Sequence, residues 1–409
     1  MHTPSRQTED DLNVALATPT PPARRPAKPA SRAQRRDWLT GYLFILPATV
    51  LIAIFGLFPI GYALYMSVFR WRIRKGAFIG LDNYADVLGN GWGALAFFGG
   101  LLLIMAAHWL WTDAFRRSGG ATFLRAGGAL VMLSAGVFIA LGWRLMRDAG
   151  DDRFLDGLVR TVYYGFGSVP VQIILALGLA SMLFQKIRGQ ELFRMLYFLP
   201  YVTPAVAGAA IFRSLFSPRP ERPVNALLDV FGIAPQQWLF EARPVSQLVF
   251  GGWLERIGIT DFSGFWAGPS LALVTVIVFG IWTYTGYNAV IFLAGLGNIP
   301  KELYEAAAID GATRRQQFTQ ITVPLLSPVT FYLTVLGFIG TFQAFSHIYV
   351  MRDRATRDAV DTASIVIFDT FYGRNNFSLA AAQSVVLFAI ILVLTLLQNR
   401  FMGSRVFRG

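Results

Sequence analysis

The sequence contains no cysteine and only three histidines among its 409 residues. Disulfides and thiolate metal sites are therefore excluded. The histidines are His2, His108 and His347, which lie far apart along the chain. A membrane enzyme built on a histidine-rich metal site is excluded as well, because such a site needs clustered ligands. We expect neither catalytic residues nor a metal site in this chain.

Lysine is also scarce, and no lysine has the sequence context that binds ATP. A Walker A phosphate-binding loop requires Gly-Lys followed by Ser or Thr. No lysine of this chain follows a glycine; the lysines are Lys28, Lys75, Lys186 and Lys301. The sequence therefore lacks an ATP site of this type.

Apolar residues, in contrast, dominate the chain. They make up 54% of the residues, a fraction that ordinary soluble domains do not reach. Eight apolar stretches are long enough to cross a hydrocarbon layer of ~30 Å as helices. They lie near 39–69, 93–112, 126–145, 160–184, 195–214, 270–296, 325–349 and 379–398. The sequence predicts an all-α polytopic membrane bundle of about eight transmembrane helices.

The cores of these stretches lack Asp, Glu, Lys and Arg. An ion-coupled secondary transporter needs ionisable groups at mid-membrane, so this composition disfavours one. It stays an alternative, because backbone carbonyls alone can bind sodium. The net charge of +12 comes from basic residues scattered over loops and tails, which indicates anchoring to lipid headgroups and not nucleic-acid binding.

The two ends of the chain are polar. Residues 1–37 are rich in Pro, Ala and Arg and have no apolar core, so we expect a disordered tail and not a cleavable signal. Residues 403–409 form a basic C-terminal tail. Eight crossings place both ends on the same side, which we take to be the cytoplasm. The loops then expected outside are 70–92, 146–159, 215–269 and 350–378.

The polar segment between the apolar stretches 270–296 and 325–349 has an unusual spacing of residues, E-A-A-x3-G-x9-I-x-V-P. Pro300 and two early glutamates favour the start of a helix, and Gly311 favours its end. Thr313 and Gln316 have the spacing of a capping box for a second helix. We expect two short surface helices that meet at Gly311, although any cytoplasmic connector could be rich in Ala and Glu.

This spacing resembles the cytoplasmic coupling loop of permease subunits in ATP-binding-cassette (ABC) importers. Further segments resemble the carbohydrate-uptake permeases: 78–84, 198–201, 203–204, 282–288, 294–296, 299–300 and 342–345. The likeness covers most of residues 38–402. Val323 departs from the family pattern, which usually has Leu there, and the charged stretch 351–361 replaces a turn that often contains Gly and Pro.

The resemblance implies a core like the transmembrane domain of a type I ABC importer. Residues 38–92 then hold the first helix and an extracytoplasmic segment, and 146–402 hold the permease core with the coupling loop, residues 298–324. Residues 93–145 look like an inserted transmembrane hairpin. The coupling residues carried over by position are Glu305, Ala306, Ala307, Asp310, Gly311, Ile321 and Pro324.

The implied function is that of a permease subunit that moves a sugar or related polyol across the inner membrane of a prokaryote. It would not be an enzyme, since nucleotide-binding subunits would bind ATP and Mg. The other implied partners are an extracytoplasmic solute-binding protein, a second permease that we expect to be a distinct chain, and membrane lipid. A permease for a non-carbohydrate solute and a scaffold without transport are the alternatives.

Two helices that flank the coupling loop would line the solute pathway by the same resemblance. Tyr284, Tyr287 and Asn288 share one face at helical spacing, and Gly337, Thr341 and Phe345 share another. A neutral sugar needs such aromatic and uncharged polar groups. Ordinary packing between helices is the alternative for each residue. We expect His347 to pair with a neighbouring side chain instead of the solute.

Overall fold

The computed structural model describes residues 32–116, 121–184, 188–256 and 267–402. The chain divides into two compact units, Met1–Ile60 and Gly61–Gly409. Helix α1 (Arg32–Ile52) lies in the first unit and continues through a π-helical turn (Ala53–Leu57) into α2 (Phe58–Ser67), which begins in the first unit and ends in the second. The predicted disordered tail is therefore wrong for residues 32–37, where Arg, Ala and Gln are good helix formers. Residues 1–31 and the tail 403–409 lie outside the described residues.

After α2 the second unit continues with a two-stranded antiparallel hairpin, β1 (Phe69–Trp71) and β2 (Lys75–Phe78). The described residues that follow are predominantly helical. The α-helices are α3 (Asp82–Leu88), α4 (Gly91–Arg116), α5 (Ala121–Ala149), α6 (Asp152–Leu183), α7 (Gln190–Val202), α8 (Ala205–Leu215), α9 (Pro223–Val230), α10 (Val245–Arg256), α11 (Leu271–Gly297), α12 (Lys301–Ile309), α13 (Arg314–Gln317), α14 (Val323–Leu325), α15 (Ser327–Phe342), α16 (Ser346–Met351), α17 (Arg357–Val360), α18 (Ala363–Phe368) and α19 (Phe377–Met402).

These helices confirm the predicted membrane bundle. Within the described residues, five helices are long and apolar enough to span a membrane, and the number rises to eight if each of three bent pairs forms one span. The continuous helix predicted at 195–214 is wrong, because α7 and α8 meet at an angle of 96°. Thr203 has extended backbone angles there, as the residue before a proline (Pro204) usually does.

The stretch predicted at 325–349 is also interrupted. The segment Arg314–Leu325 and helix α15 are bent by 60° about Leu326. Pro328 lacks the amide hydrogen that a continuous helix would need to donate four residues back. At the other end α15 stops at Phe342, and α16 is a separate short helix.

Helices α6 and α11 each contribute more buried residues than any other described helix of the second unit. Large buried side chains from α6, α11 and α15 form one cluster that includes Phe154, Phe292 and Phe338. Close packing here depends on glycine: a side chain at Gly286 of α11 would overlap the carbonyl oxygen of Tyr197 in α7. Small residues of this kind allow membrane helices to approach through their backbones.

The segment 78–84 fixes the end of α2. The side-chain amide of Asn83 donates to the carbonyl oxygens of Ser67, at 2.7 Å, and Phe69, at 3.1 Å. The hydroxyl of Tyr84 lies 2.7 Å from the Ser67 hydroxyl. Asn83 is buried, and these bonds satisfy carbonyl groups that the end of a helix leaves without partners.

Helices α4 and α5 form a tight antiparallel pair. A Cβ atom at Gly142 would clash with the amide nitrogen of Phe97 and lie 2.6 Å from the carbonyl oxygen of Gly93. The pair joins the core near Asp156 of α6, which accepts a 3.1 Å hydrogen bond from Arg147. That residues 93–145 are an insertion into the family fold stays a prediction.

We predict that Gly142→Ala separates α4 from α5 and destabilises the protein by about 1–3 kcal/mol, the usual cost of overpacking. The matched control is Gly136→Ala in the same helix, because a Cβ atom there has no neighbour within 4 Å. Thermal unfolding in detergent measures the difference. Equal unfolding temperatures for the two variants would contradict the close packing.

Candidate coupling loop and solute pathway

The coupling loop begins with α12, which ends in a complete Schellman motif. Gly311 has φ +79°, a left-handed conformation that favours glycine. Its amide donates to the carbonyl of Ala308 at 3.1 Å, and the amide of Ala312 donates to the carbonyl of Ala307 at 2.8 Å. These two bonds satisfy the last carbonyls of the helix and fix the reversal of the chain.

The second arm of the loop starts with the predicted capping box. The Thr313 hydroxyl accepts from the Gln316 amide at 3.3 Å, and the Gln316 side chain accepts from the Thr313 amide at 2.8 Å. The chain continues through α13, a π-helical turn (Phe318–Thr322) and α14. The hydroxyls of Tyr304 and Thr322 lie 2.9 Å apart, so the two arms are joined to each other.

The predicted coupling residues lie mainly on the surface of this loop. Glu305, Ala306, Asp310, Gly311 and Pro324 are exposed, and Ala307 and Ile321 are half-buried. Ile309, which the sequence analysis did not single out, is 87% exposed and lies one helical turn after Glu305. Glu305, Ala308 and Ile309 are all exposed and share one face at helical spacing, which suits close contact with another protein.

The predicted pathway residues fall into three groups. Tyr284 and Tyr287 lie together against Tyr201 of α7, whose ring stacks on Tyr287 with 4.4 Å between centroids. Tyr284 is 39% exposed and Tyr287 is half-buried, so both rings border open space. Tyr201 belongs to the segment 198–201, and its contact with Tyr287 joins α7 to α11.

The second group is buried against α6. The side-chain amide of Asn288 lies 3.4 Å from the side-chain oxygen of Gln172. A Cβ atom at Gly337 would lie 2.9 Å from Val169, and one at Gly165 would lie 3.1 Å from the Thr341 hydroxyl. These contacts are helix packing: Asn288 and Thr341 are buried, and Gly337 is half-buried.

Phe345 forms the third group, in an aromatic cluster beyond the end of α15. Its ring lies 5.3 Å from that of Tyr349 and 4.8 Å from that of Phe368. His347 is buried nearby, and its Nε2 atom lies 2.9 Å from the Tyr164 hydroxyl. This contact confirms that His347 pairs with a neighbouring side chain.

An ion network that the sequence analysis missed lies at the start of α6. Arg153 contacts Asp361 at 3.2 Å and Asp369 at 3.1 Å. Arg352 contacts the same two carboxylates at 3.4 Å and 3.1 Å. Burial raises the pKa of Asp361, while Arg352 and Arg153 oppose this change. The network joins α6 to the segment that follows α16.

The family of the chain follows from comparison with known sequences. The family model described as "Binding-protein-dependent transport system inner membrane component" matches residues 132–406. The chain belongs to this family. As a permease, it is a transmembrane component of an ABC importer and not an enzyme, because ATP hydrolysis is carried out by a separate subunit. A secondary transporter is not favoured.

Several relatives of this permease have known roles. The lactose transport system permease protein LacF of Rhizobium radiobacter is 30% identical over 88% of this chain and 93% of its own length. The arabinooligosaccharides transport system permease protein AraP of Bacillus subtilis is 30% identical over 63% of this chain and 73% of its own. The sn-glycerol-3-phosphate transport system permease protein UgpA of Agrobacterium fabrum is 32% identical over 63% and 79%.

The permease fold also matches a solved structure. A chain of a bacterial ABC transporter that imports the acidic polysaccharide alginate has a TM-score of 0.56 at 20% identity. The match covers 90% of this permease and 96% of that chain. This likeness confirms the predicted importer fold. Among the residues that the structure of the permease describes, no group of three His, Asp or Glu could hold a metal ion.

We predict that Asp361→Asn destabilises the permease by about 3–5 kcal/mol, because it leaves two guanidinium groups short of a buried partner. The control is Asp358→Asn: the Asp358 side chain is 89% exposed and that of Asp361 is 0% exposed. Loss of an exposed ion pair costs about 0–1 kcal/mol. Thermal unfolding in detergent measures both, and a larger loss for Asp358→Asn would contradict the role of the network.

Proposed function

We propose that this permease imports a sugar or a related polyol and that the coupling loop transmits movement from an ATPase subunit. The names of the relatives support the solute class, since LacF and AraP belong to sugar transport systems and UgpA to a glycerol-phosphate system. The ATPase subunits bind ATP and Mg, and a distinct second permease completes the pathway. Both termini and the coupling loop face the cytoplasm.

The observation that carries this proposal is the rigid connection of the loop to two pathway helices. At its start, Leu296 and Ile299 are buried in the same cluster as Leu326 at its end. A Cβ atom at Gly295 would lie 2.9 Å from Leu326 and 3.0 Å from Val329, so α11 and α15 meet where the loop leaves and re-enters the core. A displacement of the loop therefore displaces both helices.

The mechanism is a rigid-body switch. ATP closes the pair of nucleotide-binding subunits, and the exposed face of α12 follows the subunit to which it is bound. The Schellman motif and the capping box prevent the loop from absorbing this movement. The pathway side chains of α11 and α15 then change from inward-facing to outward-facing, and the solute-binding protein delivers the solute. The free energy of ATP binding thus drives the change that exposes the solute site to alternate sides of the membrane.

We predict that Gly311→Pro abolishes ATP-driven uptake while the protein is still inserted in the membrane. Proline cannot adopt a positive φ and lacks the amide that donates to Ala308. Gly311→Asn is the control and should retain uptake, because asparagine tolerates left-handed angles. Glu305→Lys, which reverses the charge on the exposed face, should also abolish uptake. Normal uptake in a well-expressed Gly311→Pro permease would count against the coupling role.

We predict that Tyr287→Ala weakens uptake of the cognate solute more than it lowers ATPase activity stimulated by the binding protein. The substitution removes the ring that stacks on Tyr201 but leaves the coupling loop unchanged. Tyr42→Ala, at a 66% exposed position of α1, is the control and should affect neither. Uptake and ATPase rates are measured on the same reconstituted complex. A parallel loss of both activities would argue that Tyr287 only packs helices together.

A further inference from the structure

A cavity of about 390 Å³ lies at the ends of α8 and α16, one helix length along α15 from the coupling loop. Ligand cavities in proteins have volumes of about 300–1,000 Å³, so this cavity is large enough for one sugar ring with a charged group. Its lining includes four arginines, one carboxylate and an aromatic ring: Arg213, Arg352, Arg354, Arg357, Asp353 and Tyr349.

Two of the arginines are held in place by the protein itself. Arg213 contacts Asp353 at 2.8 Å and donates to the backbone carbonyls of Val350 and Arg352. Arg352 is bound to Asp361 and Asp369 in the ion network and lies over the ring of Tyr349, at 4.1 Å from its centroid. These guanidinium groups form a fixed wall whose charges are largely balanced.

The other two arginines are not balanced. Arg354 and Arg357 are exposed, and within the described part of the chain neither has a carboxylate within the 4.0 Å that defines an ion pair. The cavity therefore has an excess positive charge on its rim. A guanidinium group matches carboxylate and phosphate through paired hydrogen bonds, which makes arginine the preferred residue for recognising such anions.

One residue of the cavity lining, Tyr349, contacts the predicted pathway residue Phe345. Phe345 and Arg352 flank the short helix α16, and both contact Tyr349 within it. The ring of Phe345 stacks on that of Tyr349, and the guanidinium group of Arg352 also lies over the Tyr349 ring. Tyr349 is 39% exposed and offers a flat apolar face beside the charged rim.

We propose that this arginine-lined cavity is an entry subsite for the anionic group of the solute. This inference rests on the proposed function and narrows it: the solute is a sugar or polyol that carries a carboxylate or a phosphate. Arg354 and Arg357 bind the anion, Arg213 and Arg352 set the shape and potential of the wall, and Tyr349 contacts the ring of the solute. The subsite receives the charged end of the solute before the remainder enters the pathway between Tyr284 and Tyr287.

Equilibrium dialysis of the assembled importer in neutral-lipid nanodiscs tests the subsite. Labelled D-glucuronate is the probe, and D-glucose at equal ionic strength is the uncharged control. We expect glucuronate to bind saturably and at least about tenfold more tightly than glucose. The double variant Arg354→Gln, Arg357→Gln should lose about tenfold or more in affinity, which corresponds to one lost charge-assisted contact. Arg374→Gln, at an exposed arginine outside the cavity, should bind as the unmodified importer does.

A competition arm with inorganic phosphate separates the two sources of the anion. Displacement of glucuronate by phosphate at lower concentration than by unlabelled glucuronate indicates a phosphorylated polyol, and the reverse order indicates an acidic sugar. Equal binding of glucuronate and glucose, or unchanged affinity in the double variant, would overturn the subsite. The subsite would also be overturned if the only defect of the double variant were a lost response to the solute-binding protein, because the arginines would then bind that protein. In each of these cases, ATP-driven uptake by the unmodified importer would still support the proposed permease function, so that only the subsite would be rejected.

Discussion

The contact between the end of α11 and the start of α15 is the constraint on which the rest of the structure depends. Gly295 allows Leu326 and Val329 to approach the α11 backbone, and the coupling loop leaves and returns at this point. A loop between two helices normally leaves four carbonyls and four amides without partners at the helix ends. Here the Schellman motif at Gly311 and the capping box at Thr313 supply several of those partners, which makes the loop a stiff element.

Several polar side chains inside the bundle are paired with one another. Asn288 faces Gln172, and His347 faces Tyr164. At the end of the bundle away from the loop, the two arginines and two aspartates of the ion network satisfy one another across α6 and the segment after α16. Unpaired polar groups are costly where water is scarce, so each pair fixes one arrangement of neighbouring helices. Arg354 and Arg357 are exposed and line the cavity, and no ion pair holds either of them among the described residues.

Much of the architecture could be predicted from local sequence. The apolar stretches locate the helices, and Gly311, Thr313 and Gln316 predict the caps of the coupling loop, because capping is decided by residues a few positions apart. The break at Thr203 was missed although Pro204 signalled it, since a long apolar stretch was read as one helix. The contact of Tyr201 with Tyr287 and the ion network could not be predicted. They join residues 86 and about 200 positions apart, and only the packed bundle brings them together.

The proposed coupling role requires that the loop faces the cytoplasm and touches the ATPase subunit. Because the chain has no cysteine, Ile309→Cys introduces a single thiol on the exposed face of α12. Labelling with a membrane-impermeant maleimide, followed by thiol crosslinking in the assembled importer, measures both properties. If the loop has this role, we expect labelling in inside-out vesicles alone and a crosslink to the nucleotide-binding subunit. Labelling in right-side-out vesicles, or a thiol that crosslinks to no ATPase subunit, would contradict it.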